Sequence, residues 1–430
     1  MLSGSSLEAA PDCATPVIDG VTTVAVVGGG IVGSAAAVWM LAEGIKVTVF
    51  ERDPEGRPAS TGNAGILNLP EITPLARPGI LASVPGWLAD PLGPLTVRAR
   101  DIPALTPFLA RFVYNARAPQ VARATAALGF IMKTALIDHQ ELARRAGLPI
   151  YMRRNGSLYL YDTDAAFRAA TAEWNERARY GVDYREVSVG EAREMVPALK
   201  GGFQRALITP DQWSVTSPLE ILLGLRRAVA QRGRLVTATV TDVRPDGDKI
   251  AVVFADGRAE RFDRVVVAGG VWSRDLVRKL GLKVLLEAER GYNTTFADPG
   301  FTIAMSVFLS AHGFVASPLN EGLRIGGAVE LAAVDAPANF ARAKAMRAKA
   351  RRYFPDLPET GGKEWMGSRP ATPDSLAVIG PHPKDPRIVF AFGHGHLGLT
   401  LSAATARHVT ALVAGRRERN LEPFSIERFQ

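Results

Sequence analysis

Apolar and polar positions recur along this chain with two different periods. "VAVV", Val24 to Val27, is a short apolar run rich in β-branched residues. An amphipathic stretch then opens behind three glycines and runs through Leu41, and a second apolar run, Val47 to Phe50, ends on Glu51. Short apolar runs bounded by turn formers predict strands, and recurrence every three to four positions predicts a helix, so this stretch reads as strand, tight turn, helix, strand. Helical periodicity returns at Lys133 to Ala146, Asp164 to Tyr180, Pro218 to Gln231 and Ala336 to Tyr353. Strands are expected at Ser157 to Tyr161, Leu235 to Val243, Ile250 to Phe254 and Arg264 to Ala268, with "PDGD" from Pro245 and "ADG" from Ala255 as turns. Near the end, "RIVFAFGHGHLGLTLSAATARHVTALVAG" predicts a strand, a glycine-spaced turn and a long helix from about Gly398. The alternation is that of an α/β chain. Residues 70–119, rich in Pro and Gly, interrupt it as an ordered excursion rather than a linker, since long loops in compact enzymes often carry function.

The first unit carries chemistry. Gly28 permits the sharp turn out of the strand, Gly30 lets a pyrophosphate approach the backbone, and Gly33 lets the helix pack close to the sheet. Amide groups at the helix start, with the helix dipole behind them, favour phosphate charge. Glu51, eighteen positions after Gly33, ends the second strand where a carboxylate accepts hydrogen bonds from a ribose diol and repels a 2′-phosphate, an argument that the adjacent Arg52 weakens. A dinucleotide site is the reading.

Composition changes this picture little. The 430 residues allow two or three domains, and 47% hydrophobic with 22% charged residues is a globular balance. No apolar run reaches the roughly 18–20 residues of a membrane span, and the first twenty residues, which read as a flexible tail, lack a basic start followed by an apolar stretch. The single cysteine, Cys13, lies in that tail, so a reducing cytoplasm is expected. A formal charge of +8 is dispersed and accompanies no nucleic-acid motif, so no nucleic-acid partner is expected. The alanine-rich basic run from Asn339 reads as a solvated helix face. No metal cluster joins the pair His394 and His396.

The later turns decide between a nicotinamide and a flavin. "VVVAGGVWS" is a second small-residue turn from strand to helix, and "FGHGHLGLTLSAATA" a third, which a nicotinamide enzyme does not need. With the opening unit, "STGNAGILN" from Ser60 and "GSRPATPDSLAVIGPHP" from Gly367, the chain resembles the flavin-dependent D-amino-acid dehydrogenase and glycine-oxidase family, within the larger group that includes the sarcosine oxidases. The matching pieces span residues 21–415. The resemblance implies a Rossmann-like FAD-binding domain of the glutathione-reductase type, discontinuous over residues 21–100, 205–280 and 362–430, with a substrate domain on a mixed β-sheet over 101–204 and 281–361. It implies FAD lined by Gly28, Gly30, Ile31, Val32, Gly33, Glu51, Arg52, Thr61, Asn63, Ala64, Gly65, Val240, Ala268, Gly269 and Trp272, with Val243 an alternative to Val240. At the terminal helix Gly395, Leu397, Gly398, Leu399 and Thr400 join them, the first four as backbone amides aimed at the flavin. The flavin is expected to be non-covalent, because the usual histidine near "STGNAG" is missing.

The resemblance also places the substrate. Arg369 is expected to grip a carboxylate with its planar fork and to border the flavin, and the Tyr292 hydroxyl to bond the same group. His396 stands where glycine-oxidase members carry arginine, and with His394 is a candidate to touch substrate or flavin. The implied reaction passes the Cα hydrogen of a D-amino acid or cyclic imino acid as hydride to the flavin, "ERGYNTTF", "GLRIGGAVEL" and "GHGHLGLTL" pointing to D-proline and cis-4-hydroxy-D-proline. An acceptor such as a quinone takes the electrons; glycine or sarcosine oxidation by oxygen, and a flavin subunit of a larger complex, remain alternatives. The excursion tip, Trp87, Leu88 and Leu92 before Arg98 and Arg100, either packs on its own domain or touches the inner face of a membrane. The sequence does not fix the oligomeric state.

Overall fold

A computed structural model describes residues 21–55, 58–78 and 95–430. Thr23–Val27, Lys46–Glu51, Arg264–Val267 and Asp385–Phe392 form the parallel heart of a six-stranded sheet, with Arg234–Thr237 beside Lys46–Glu51 at one edge and Val378–His382 antiparallel at the other. Val24, Ala25 and Val26 are fully buried, as strands covered on both faces must be. The helices Ile31–Ala42 and Gly398–Val413 pack on each other over one face, and both bury small residues, Ala35, Ala36 and Ala37 in the first and Ser402, Ala403 and Ala404 in the second. A small antiparallel sheet, Val240–Asp246, Lys249–Phe254 and Ala259–Phe262, covers the other face, joined by the two expected turns.

The second body is a mixed sheet running Lys363–Ala371, Glu287–Phe296, Gly322–Leu331, Phe314–Leu319, Ser306–Leu309, Ser157–Tyr161, Arg205–Thr209, Arg185–Val187. Leu95–Val97 pairs parallel to Gly322–Leu331. The expected divisions at residues 101, 205 and 362 therefore move. Arg205–Thr209 and Lys363–Ala371 are hydrogen-bonded into the mixed sheet, whereas the helix Ala118–Ala146 packs against Gly398–Val413 on the nucleotide side.

Three elements differ from the sequence pattern. The strand expected over Leu235 to Val243 is two strands in different sheets, because the chain leaves the parallel sheet at Ala238, whose amide donates to Glu51 O, and enters the antiparallel one at Val240. The helix expected from Lys133 begins at Ala118, where Pro119 in its first turn is tolerated because no amide is needed there, and ends on left-handed Gly147. The helix expected over Ala336 to Tyr353 shortens to Ala341–Ala350. Within the excursion, Ile102–Asn115 is a helix; Trp87, Leu88 and Leu92 lie outside the described residues.

Candidate active site

A cavity of about 1100 Å³ runs from the first glycine turn to the mixed sheet. That lies just above the roughly 300–1,000 Å³ of ordinary small-molecule sites. At its nucleotide end Gly28 sits at φ +107°, and a Cβ there would lie 2.6 Å from Ala268 O; one at Gly33 would lie 2.0 Å from Gly28 O. A Cβ at Gly30, by contrast, meets nothing within 4 Å, so that glycine opens a cradle towards the cavity. Glu51 ends its strand on the wall, its Oε2 accepting from Gly29 N at 2.8 Å and its Oε1 from Asp53 N at 3.1 Å. Arg52 stacks on the Trp272 ring at 3.8 Å, and both stand on the cavity wall.

Ile31, Val32, Asn63, Ala64, Val240, Ala268, Gly269, Gly395, Gly398 and Leu399 also stand on the wall, with Arg369, Tyr292, His394 and His396. Val243 is buried in the core. Gly33, Thr61, Gly65, Leu397 and Thr400 do not line the cavity but are buried behind it. Gly33 and Gly65 serve close packing, since a Cβ at Gly65 would strike Leu319 at 2.4 Å. The Thr61 hydroxyl donates to Pro58 O, and the Thr400 hydroxyl accepts from Asn68 N at 3.0 Å. The Leu397 amide, expected to face the flavin, donates instead to His394 O at 2.9 Å in the short turn before the helix.

The substrate end is built by register across strands. Side chains alternate between the faces of Glu287–Phe296, so Glu289, Gly291 and Asn293 face the nucleotide side while Arg290 and Tyr292 face away. Arg369, opposite Glu289 in the neighbouring strand, donates from Nη1 to Glu289 Oε1 at 2.9 Å and to Ala328 O at 3.3 Å. Its guanidinium lies over Gly291, where a Cβ would come within 2.3 Å of Nη2. Asn293 donates to Gly62 O at 2.9 Å, and Arg324 to Asn63 O at 2.6 Å, pinning the "STGNAG" segment. Tyr292 corrects the sequence expectation: its hydroxyl donates to buried Glu330 at 2.5 Å and accepts from Asn339 N, on the face away from Arg369. His394 is buried against the Thr405 hydroxyl at 3.0 Å, and burial pushes its imidazole down to about 4, so it is neutral and packs. His396, half-buried, keeps its place on the wall.

Sequence reasoning missed Glu289, the partner of Arg369, and a whole wall made of Glu71, Arg77, Tyr159, Glu173, Trp174, Arg177 and Phe308. The helical period of residues 164–180 was visible, but which of its faces meets a cavity was not. Among the described residues no group of three or more metal-ligating side chains occurs, and no helix is long and apolar enough to cross a membrane.

A family model described as FAD dependent oxidoreductase matches residues 23–412. The chain belongs to this family. Among curated members it is 34% identical over 415 residues to a D-amino-acid oxidase of Bradyrhizobium diazoefficiens, covering 94% of this chain and 98% of the relative. It is 30% identical to D-amino acid dehydrogenase 2 of Ralstonia nicotianae, over 91% and 96% of the two chains. Glycine oxidase from Geobacillus kaustophilus shares the fold at TM-score 0.73 and 24% identity, covering 94% of this chain and 97% of that one. L-proline dehydrogenase from P. horikoshii does so at 0.69 and 19%, over 95% and 98%. This FAD-dependent oxidoreductase binds FAD, and the open cradle at Gly30 with the acid at Glu51 fits the dinucleotide part of that cofactor.

Proposed function

We propose that this flavoenzyme oxidises D-amino acids to imino acids, which hydrolyse in water. The observation that carries the reading is Arg369, a guanidinium held in place by Glu289 on the wall of the cavity that holds FAD, beyond the glycine cradle. The names of the relatives point the same way. FAD, when bound, supplies the acceptor for the hydride that leaves Cα. The protein's part is positioning. Arg369 takes the substrate carboxylate on the side of its fork that Glu289 leaves free, and Trp365 with Gly62 closes the wall beside it. Gly395, Gly398 and Leu399 bring the N-terminal end of the last helix to the wall, where its dipole favours negative charge.

Within that class we assign cyclic imino acids, D-proline and cis-4-hydroxy-D-proline, as substrates and a quinone as acceptor; the flavin is held without a covalent bond. Oxygen is the competing acceptor, because one relative is named an oxidase. Purified holoenzyme should turn over members of a D-amino-acid panel with a dye acceptor and leave their L-enantiomers untouched. Peroxide formed in air at the dye-linked rate would replace the quinone by oxygen. Turnover of no D-amino acid with any artificial acceptor would overturn the reading.

A further inference from the structure

The edge strand Lys363–Ala371 carries a second flat group besides Arg369. Trp365, Gly367 and Arg369 alternate onto one of its faces and stand opposite Asn293, Gly291 and Glu289 of Glu287–Phe296. A Cβ at Gly367 would lie 2.1 Å from Trp365 Cη2, and one at Gly62 would lie 2.1 Å from Cε3 and Cζ3 of the same ring. Neither glycine has a positive φ, and neither has Gly291, so space rather than backbone angle calls for glycine at all three. The indole is thus wedged between the sheet and the "STGNAG" segment, whose Gly62 O accepts from Asn293 at 2.9 Å. Half-buried, Trp365 lines the cavity.

Gly291 and Gly367 face each other across the two strands. The atom nearest above Gly291 is Arg369 Nη2, and the atom nearest above Gly367 is Trp365 Cη2, so the guanidinium and the indole lie next to each other on the sheet. Glu289 and Ala328 O hold Nη1, which leaves Nη2, over Gly291, for a carboxylate. Across the sheet the floor is low. Asn293 stands opposite Gly326, Gly326 opposite Val315, Val315 opposite Phe308 and Phe308 opposite Tyr159. Gly326, Gly327, Val315, Phe308 and Tyr159 all line the cavity. A carboxylate on Arg369 therefore has a rigid ring on one side and, on the other, a glycine gap that leads to an apolar strip.

We propose that Trp365 sets which enantiomer of the substrate is oxidised. The proposal rests on the D-amino-acid reading. With the carboxylate on Arg369 and the Cα hydrogen given to the acceptor, two substituents remain, the amine and the side chain, and exchanging them converts one enantiomer into the other. The indole side takes the amine, the smaller group, which an aromatic face attracts while it carries charge. The side chain lies over Gly326 and Gly327 towards Val315 and Phe308, where its apolar carbons leave water. The opposite enantiomer drives its side chain into a ring that Gly62 and Gly367 keep from retreating, and overpacking of that kind is costly.

The D and L forms of norvaline, valine and proline test this on purified holoenzyme with a dye acceptor. Trp365→Ala, with flavin content and melting temperature recorded alongside, should raise kcat/KM for the L members at least about tenfold above their wild-type values and lower the D-to-L ratio at least as much. Lost packing alone would lower both enantiomers and leave the ratio where it was. Trp365→Phe, whose shorter ring withdraws from Gly367, should move the ratio the same way by at least about threefold, and it decides if the alanine variant does not fold. A ratio unchanged in a folded variant, or one that falls without any gain of L activity, overturns the proposal. A second readout needs no turnover. In crystals of the holoenzyme reduced with dithionite, bound D-norvaline should lie with its nitrogen against the indole and its chain over Gly326; the reverse placement overturns the proposal even if neither variant folds. Turnover of no D-amino acid by the wild-type enzyme removes the proposal together with the reading beneath it, whereas D turnover with an unmoved ratio removes the proposal alone.

Discussion

Arg369 answers to two groups, and its substitution has two separable costs. With Glu289 only 4% exposed, Arg369→Ala strands a buried carboxylate, so thermal stability should fall along with kcat/KM, the latter by roughly 3–5 kcal/mol for every substrate alike. Adding Glu289→Gln should restore the melting temperature and leave activity lost; recovery of both would show that Arg369 does not touch substrate. Gly291 offers a finer probe. An Ala there needs no unusual backbone angle but drives its Cβ into the Arg369 fork, so Gly291→Ala should raise KM while the fold melts where it did before. An unchanged KM would mean that the guanidinium can sit elsewhere. Arg369 itself was readable in "GSRP" through resemblance, and Glu289 was not. The pair joins residues 80 positions apart through strand register, which no local pattern encodes.

At the scale of elements, the opening strand, turn and helix were legible because each is specified by neighbours in sequence: a β-branched run, a φ-positive glycine, an apolar face. The break between Arg234–Thr237 and Val240–Asp246 was not, since both halves are apolar enough for strands and only their partners differ. One buried histidine joins two of the helices. His139, on Ala118–Ala146, reaches the first turn of Gly398–Val413, its Nε2 at 3.0 Å from Leu399 O and its Nδ1 at 3.0 Å from the Tyr151 hydroxyl. Burial pushes it, like His394, from 6.5 down to about 4. Between those values the unfolded chain binds protons that the folded one refuses, so stability is full above about pH 6.5 and declines as pH falls towards 4. Each imidazole contributes a slope of about 1.4 kcal/mol per pH unit across that window. Melting followed from pH 7 to 4.5 should show the fall, and a neutral isostere, His394→Asn or His139→Gln, should flatten it; a slope unchanged in both variants would assign the effect to other groups.

Across the whole molecule, the glycine turn separates holding the cofactor from holding the fold. Gly30→Ala projects into open cavity, so it should weaken FAD binding without lowering the melting temperature of the apoprotein, whereas Gly33→Ala, aimed at Gly28 O, should lower both. Flavin retained by Gly30→Ala at wild-type affinity would move the pyrophosphate elsewhere. Acid precipitation should leave the yellow colour in the supernatant, because the first histidine, His139, has both ring nitrogens engaged and lies behind the terminal helix. The parallel sheet carries one more consequence. Its strand Arg264–Val267 is flanked by Thr23–Val27 on one side and Asp385–Phe392 on the other, and the helix Ile31–Ala42 is covered by Gly398–Val413. On the ribosome, then, the glycine turn emerges early but waits for partners encoded more than 300 residues later. At about 5–20 residues per second that interval is on the order of tens of seconds. Flavin capture is thus an event of the finished chain, and a nascent chain halted before Asp385 should emerge colourless.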